Sequence, residues 1–473
     1  MESPQLRSSP DDYRMFSRSL DCKVRSRHHA EYASWHYDAA WNGRRFERYP
    51  EYIIRAASIA DVAHTILFAR SHDLSVSIKG SGHSYAACFL QQDGILLDLS
   101  SLNDLEILPD RDLAIAGPGV TSGQLTRALS RWGLAFPTGH GGSVGLGGFL
   151  LGGGLGINCD AWGGMSAFNL IAVDVITADG ELVHADEHQN SDLLWAARGG
   201  GPCLFFVVTK FYLRCWPAPK AMTNCTYRID PSDVAPVMTA LSDPTIDHRL
   251  QTMLVLGGAG AAGTCAVLSA TAFCGHEAEA SQLHRELASR ISPWTIEQLS
   301  TEQAIDFDTV YRQTDAMMHS RRCRADNILT DEVADTARIL LDHLARQPSA
   351  STRALIIPRP AHEYPDAAFS LSGAFFVSTY AQWSDESDDE INRVWLKSLY
   401  DALEPLASGC YINEFDLEER GQSLHRCYSD QAWARLRRLR ASYDAGGVFH
   451  DLSQGEGRGL RPAAPASAEI NRC

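Results

Sequence analysis

The 473-residue chain lacks a CxxC pair, a GK[ST] triplet and an apolar leader. Its 12 cysteines are scattered, which disfavours zinc sites and thioredoxin-like motifs and fits free thiols in a reducing compartment. The opening residues carry no hydrophobic stretch of the signal-peptide kind, so a cytoplasmic location is expected. Positive charge is scarce as well. There are 42 Lys and Arg against 58 Asp and Glu, a formal net charge of −16. That balance argues against nucleic acid or an anionic membrane as partner. The densest basic group, Arg435, Arg437, Arg438 and Arg440, falls on one predicted helix and reads as a solvated face. The uncharged stretch 253–273 is long enough to raise the question of a membrane span. Gly257, Gly258, Gly260 and Gly263 divide it, with apolar runs 252–256 and 265–273 on either side. The pattern predicts a buried hairpin.

What is present suits a large soluble core: 45% hydrophobic residues over a length that allows two or three domains. Residues 1–47 read as an N-terminal segment, loose over about the first 12. Ser58 with Asp61 marks a capped helix whose Val62, Ile66 and Ala69 share a face. Strands are expected at 74–78, 95–99, 113–116, 170–177 and 205–213, with helices at 121–131 and 191–198. This alternation over 48–217 predicts an α+β domain. Residues 218–409 predict a second domain: an antiparallel sheet, including strands 354–357 and 374–380, covered on one side by helices 276–291, 332–346 and 387–403. Ser387 and Glu390 form the expected cap of the last. A segment 410–455 returns as strand 410–413 and helix 429–443. The tail 456–473 is polar.

Glycine is concentrated in three places: 80–84, 139–156 and 199–201. Such density lets main-chain N–H groups converge on an anion, so phosphate or pyrophosphate is implied. The missing GK[ST] removes a P-loop. A Rossmann fingerprint has an acid at a suitable distance, Asp174. It lacks a strand leading in, and the extra glycines at 145–156 should spoil its helix. A dinucleotide site built from several separated loops fits the three clusters. Plain surface turns remain the remaining alternative.

Lys79-Gly-Ser-Gly-His-Ser84, the 142–156 run and Asp192-Leu-Leu-Trp-Ala-Ala-Arg-Gly-Gly-Gly201 resemble the berberine-bridge-enzyme-like FAD oxidoreductases, within the vanillyl-alcohol oxidase and p-cresol methylhydroxylase (PCMH) superfamily. Tyr411-Ile-Asn413 resembles that family's Tyr-x-Asn strand, and 443–449 its closing segment. The resemblance spans about 45–455. It implies a two-part PCMH-type FAD-binding domain beside the sheet-and-helix substrate domain. It implies FAD bonded covalently through His83, where a neutral imidazole is the nucleophile toward the flavin methyl. Lys79, Gly80, Ser81, Gly82 and Ser84 belong to the motif around the pyrophosphate. His140, Gly142, Ser143, Val144, Gly145, Gly147, Gly148 and Gly153 line the other side, and Asn413 reaches the isoalloxazine edge. The alternatives are a turn histidine at 83, a structural histidine at 140 and a turn asparagine at 413.

The chain also departs from the family. Many relatives attach FAD a second time through a cysteine where this sequence has Gly141, so a single covalent bond is predicted. Cys203 and Phe206 stand where small residues are common. Glu414 stands where plant relatives often carry Tyr. The reaction implied is hydride removal from a C–OH or C–N carbon of a small organic or natural-product intermediate, with a base taking the accompanying proton. Tyr411 is the first candidate base and Glu414 its rival, since strand alternation would place Tyr411 with Asn413 and Glu414 opposite. Tyr85 is a candidate pocket wall. The resemblance also implies that a residue as small as Val144 at this position lets molecular oxygen serve as acceptor. No metal is expected. A non-redox cyclase or isomerase keeping FAD as scaffold is the alternative function. Substrate identity and oligomeric state are not legible.

Overall fold

The computed structural model describes residues 16–20, 23–260, 263–318, 322–361 and 363–454. The expected loose start and the polar tail lie outside the described residues. Three short apolar strands, Tyr52–Arg55, Ile95–Asp98 and Val76–Lys79, run parallel, with Val24–Ser26 antiparallel on the outer edge. Strands this uniformly apolar suit a sheet buried on both faces. Helix Ile59–Ser71 makes the crossover and starts at the reciprocal Ser58–Asp61 box. On the far edge, Val76 donates to the Val448 carbonyl at 2.7 Å and accepts from the His450 amide at 2.9 Å. The closing segment therefore lies beside the strand that leads into His83.

A second, antiparallel sheet orders Leu105–Leu108, Leu113–Ala116, Val207–Arg214, Leu170–Ile176 and Leu182–Asp186. The largest sheet has seven antiparallel strands: Thr295–Ala304, Ala221–Ile229, Gly263–Cys274, Leu250–Gly260, Arg353–Pro358, Phe375–Trp383 and Arg322–Thr330. Its two faces differ by the strand period of two. Leu254, Leu256, Leu268, Ile356 and Val377 pack with Leu283, Leu287, Leu340, Leu344, Leu396 and Leu399 of the covering helices. Met253, Val255, Ala325, Leu355 and Tyr380 point the other way and meet Tyr85 from the histidine loop. One face of the sheet thus packs on helices, and part of the other meets the loop that carries His83.

Several expectations are corrected. The hairpin forms, but its strands continue through the glycines, with an irregular register between Gly257 and Gly260. The Ser387–Glu390 box does not form: Ser387 lies in the turn Glu386–Asp388 under an Asp385 cap, and helix Asp389–Leu403 begins after it. Glycines 147 and 148 do not prevent a short helix, Leu146–Leu151. A Cβ at Gly147 would lie 3.0 Å from the Pro118 carbonyl, so the missing side chain permits that helix to pack closely. The basic helix face is not wholly solvated. Arg440 is buried against the Phe449 and His450 carbonyls, and Arg435 pairs with Asp366 over the Trp195 ring. Finally, 410–413 is not a strand. Asn327 donates to the Tyr411 carbonyl at 2.9 Å and accepts its N–H at 2.7 Å, and the turn Ile412–Glu414 follows. One buried amide satisfies both main-chain groups that a neighbouring strand would otherwise take.

Candidate active site

The three glycine clusters come together. Ser81 Oγ accepts the Gly145 amide at 2.9 Å, joining the first loop to the second. The second and third abut Phe369: added Cβ atoms at Gly153 and Gly199 would lie 3.0 and 2.4 Å from its atoms. Gly201 faces Ile412, and Gly152 faces Asn413, so the turn after Tyr411 closes the ring of loops. Gly82, at φ +83°, has its Cβ direction blocked by the Ala39 carbonyl at 2.2 Å, which leaves room only for glycine.

The main-chain N–H groups of Ser81, Gly82, His83, Ser84, Gly142 and Ser143 donate to nothing among the described residues. A Cβ at Gly148 would meet nothing within 4 Å, and one at Gly80 nothing nearer than 3.8 Å. Bare main chain with unspent donors is what phosphate oxygens require, so these residues fit a dinucleotide. Lys79 contributes differently. Its buried ammonium is held by Asp98 at 3.0 Å and by the Gly80 carbonyl at 3.2 Å, which braces the loop from beneath. Ser84 Oγ accepts the Cys88 amide within its own turn. The ring of Tyr311 underlies Gly142.

His83 is half-buried, and its ring stacks on Trp41 with centroids 5.1 Å apart and planes 19° from parallel. Burial pulls its pKa down to about 4; the Lys79 charge acts the same way and the Ser143 main chain opposes. The ring is therefore neutral at neutral pH. His140 Nε2 lies 3.2 Å from Gln251 Nε2. The Gln251 carbonyl oxygen already accepts the Asn158 amide, so Gln251 donates to His140, whose proton sits on Nδ1. Burial lowers the His140 pKa to about 4 also.

Tyr411 Oη accepts from the Leu155 amide at 3.1 Å and from Asn413 Nδ2 at 2.8 Å. It is buried among Met165, Phe168, Phe369 and Phe376, and burial raises its pKa well above the ordinary phenol value. Asn413 Nδ2 also donates to the Phe149 carbonyl at 3.0 Å. Glu414 lies toward the sheet. Its Oε2 accepts from Ser378 Oγ at 2.6 Å and Tyr380 Oη at 2.7 Å, and burial raises its pKa while those two bonds pull it back. Its other oxygen accepts from nothing among the described residues. The Tyr380 ring meets Tyr85 at 5.7 Å, and Tyr85 meets Trp41 edge-on at 6.3 Å. An aromatic wall thus connects Glu414 to His83. Met253, Val255, Leu355 and Met317 complete its apolar lining.

Asp174 is engaged instead by His184 and Tyr212. A cleft of about 310 Å³ beside Thr126, Lys220 and Phe307 shares none of the residues above. Trp41, Ser378 and Tyr380 were not singled out by sequence. Trp41 precedes the glycine motif by some forty positions, and Ser378 and Tyr380 alternate within a strand whose polar and apolar residues are all buried, so alternation does not mark them. Among the described residues no group of His, Cys, Asp or Glu could hold a metal, and no helix is long and apolar enough to cross a membrane.

Known proteins match this arrangement. A family model described as an FAD binding domain matches residues 50–186. An FAD-linked oxidoreductase of Penicillium crustosum is 30% identical over 370 residues, covering 76% of this chain and 82% of that protein. Among solved structures, 6-hydroxy-D-nicotine oxidase from Arthrobacter nicotinovorans is similar with a TM-score of 0.77 at 22% identity, over 90% of this chain and 96% of that one. BBE-like 1 of Physcomitrella patens gives 0.79 at 16% identity, over 95% and 99%. At those identities the structures establish the shared fold.

Proposed function

The chain belongs to the FAD-linked oxidoreductases, and from that membership and its resemblance to the berberine-bridge-enzyme-like members we propose that it removes a hydride from a C–OH or C–N carbon of a small organic molecule, with FAD tethered at His83 and molecular oxygen as acceptor. When bound, the flavin supplies the hydride acceptor. The protein's part is to hold the cofactor on the loop amides of 81–84 and 142–143, orient the substrate against the Tyr85–Tyr380 wall and take one proton.

The carrying observation is the buried Glu414 carboxylate, with one oxygen fixed by Ser378 and Tyr380 and the other accepting from nothing among the described residues. A carboxylate whose pKa is raised by burial is a stronger base toward a substrate O–H or N–H than an exposed one. Tyr411 is less suited: its oxygen is already an acceptor twice over, and its phenol is harder to ionise than usual. In this reading Glu414 is the base, and Tyr411 with Asn413 shapes the turn that presents it. A neutral His83 supports the single tether, since the free ring nitrogen is nucleophilic without prior deprotonation.

Acid precipitation of the purified chain tests the tether. Yellow colour in the pellet, lost in His83→Ala, is expected; release of all flavin to the supernatant overturns it. Anaerobic mixing with candidate alcohols and amines tests the chemistry. Bleaching of the flavin is expected, followed by hydrogen peroxide when air is admitted. Product formation with the flavin spectrum unchanged would instead support the scaffold role.

A further inference from the structure

We propose that Trp41 is the positioning residue for flavin attachment, its indole face fixing the His83 imidazole in the plane from which one ring nitrogen reaches the flavin methyl. The inference rests on the His83 tether and assigns what aligns it.

The residues around Trp41 form a clamp on the histidine turn. The Trp41 amide donates to the Gly82 carbonyl at 3.0 Å. The Ala39 carbonyl occupies the space where a Gly82 side chain would sit. Asn42 Nδ2 donates both to the Tyr85 carbonyl at 2.9 Å and to the Cys323 carbonyl at 2.7 Å, tying the turn to the large sheet. Arg48 holds the carbonyls of Ala86 and Leu90 at 2.6 and 2.8 Å, and Arg44 is anchored by Glu418 at 3.0 Å. Residues 82–90 are therefore gripped from one side by 39–48. Among the described residues the Trp41 ring is the aromatic group stacked on the imidazole, as aromatic pairs prefer, while the Ser143 main chain hydrogen-bonds the ring.

Orientation matters here because tethering is a directed addition. The ring nitrogen forms a bond to the 8α carbon, and the imidazole N–H and methyl C–H hydrogens end on the reduced flavin. Dioxygen then removes two electrons and two protons as hydrogen peroxide, leaving oxidised, attached flavin. Displacing the nucleophile by about 1 Å is enough to slow such a step on the order of a hundredfold. The charged and titratable groups facing the imidazole are Lys79, itself paired with Asp98, and Tyr85 across Trp41.

The test follows acid-insoluble flavin over time after FAD is added to full-length chain produced under flavin limitation, at pH 7 and at pH 5.5. Trp41→Ala and Trp41→Leu should tether roughly tenfold or more slowly while still binding free flavin, and Trp41→Phe should stay close to wild type. Opening the ring to water should also let His83 protonate more readily, so the alanine variant loses further rate at pH 5.5 where the wild type does not. If Trp41→Ala fails to fold, the Leu and Phe variants decide, since both fill volume and only Phe offers a face. Wild type tethering no flavin overturns the His83 assignment and this one with it. Wild type and the Ala or Leu variant tethering equally fast, with the same pH dependence, overturns this one alone.

Discussion

Ser81 and Gly145, 64 positions apart, are joined by the Gly145 amide donating to Ser81 Oγ at 2.9 Å, and a Cβ on Gly145 would lie 2.8 Å from that side chain. The two glycine loops are thus registered by one hydroxyl pressed against one bare residue. Ser81→Ala leaves the Gly145 N–H without its partner, a loss of about 1–3 kcal/mol for a buried donor. The expected outcome is a lower Tm and faster loss of non-covalent FAD in a His83→Ala background, read by flavin fluorescence on dilution.

Glu414 and Tyr411 should separate kinetically. Glu414→Gln keeps shape and removes the base, so kcat should fall by about 10²–10⁴. The wild-type rate should rise with pH through a pKa above the ordinary 4.5, because burial raises that carboxyl and only the ionised form accepts a proton. The glutamine variant should lose this rise. Tyr411→Phe should instead lower stability, leaving the Leu155 amide and Asn413 short of an acceptor, and keep the pH dependence. An unchanged acid limb in Glu414→Gln would remove the assignment.

Gly152 leaves its Cβ space to Asn413, whose Oδ1 would lie 2.0 Å from an added methyl. Gly152→Ala must push the amide away from Phe149 and Tyr411, at a cost of about 1–3 kcal/mol. Thermal melting and a shifted flavin absorption band measure the two consequences. A variant with native Tm and spectrum would show that the turn at 412–414 accommodates the methyl freely.

Stability should fall on acidification through histidine. His83, His140 and His450 all have pKa values lowered to about 4, chiefly by burial. Below about 6.5 the unfolded chain takes up protons that the folded chain refuses until about 4. Each unit of that difference is worth about 1.4 kcal/mol per group. Stability is therefore complete above pH 6.5 and lost as pH drops toward 4. Denaturant midpoints at pH 7, 6 and 5 should decline, and His140→Gln should decline less steeply.

Arg324 lies buried between Asp416 at 3.0 Å and Glu418 at 3.5 Å, and Glu418 also holds Arg44. Arg324→Met strands the buried Asp416, while Glu418 keeps Arg44, and should cost about 3–5 kcal/mol, visible as a large drop in Tm. Because this network anchors the 39–48 clamp, flavin attachment should slow as well.

The sequence was most readable where local rules suffice. Ser58 with Asp61 announced its helix, the apolar run ending at Lys79 announced the loop bearing His83, and the glycine clusters announced their convergence. It was least readable where distant side chains replace local pattern. The strand Arg322–Thr330 carries Arg324 and Asp326 inside the protein because Asp416 and Arg420 neutralise them from 90 or more residues away, so it does not look like a buried strand. Thr295–Ala304 is an almost wholly exposed edge strand and shows no apolar alternation. Tyr411 leaves the expected ladder because Asn327 takes its main-chain groups. The aromatic wall depends on Trp41, Tyr85 and Tyr380, which no spacing rule links.

The pairing of Val76 with Val448 and His450 bears on how the molecule is made. The strand carrying the flavin loop emerges early from the ribosome, yet the neighbour on its outer edge is among the last described parts of the chain to be translated. Until then that edge stays open to foreign strands, so a nascent or prematurely stopped product ending before residue 448 should aggregate rather than acquire cofactor.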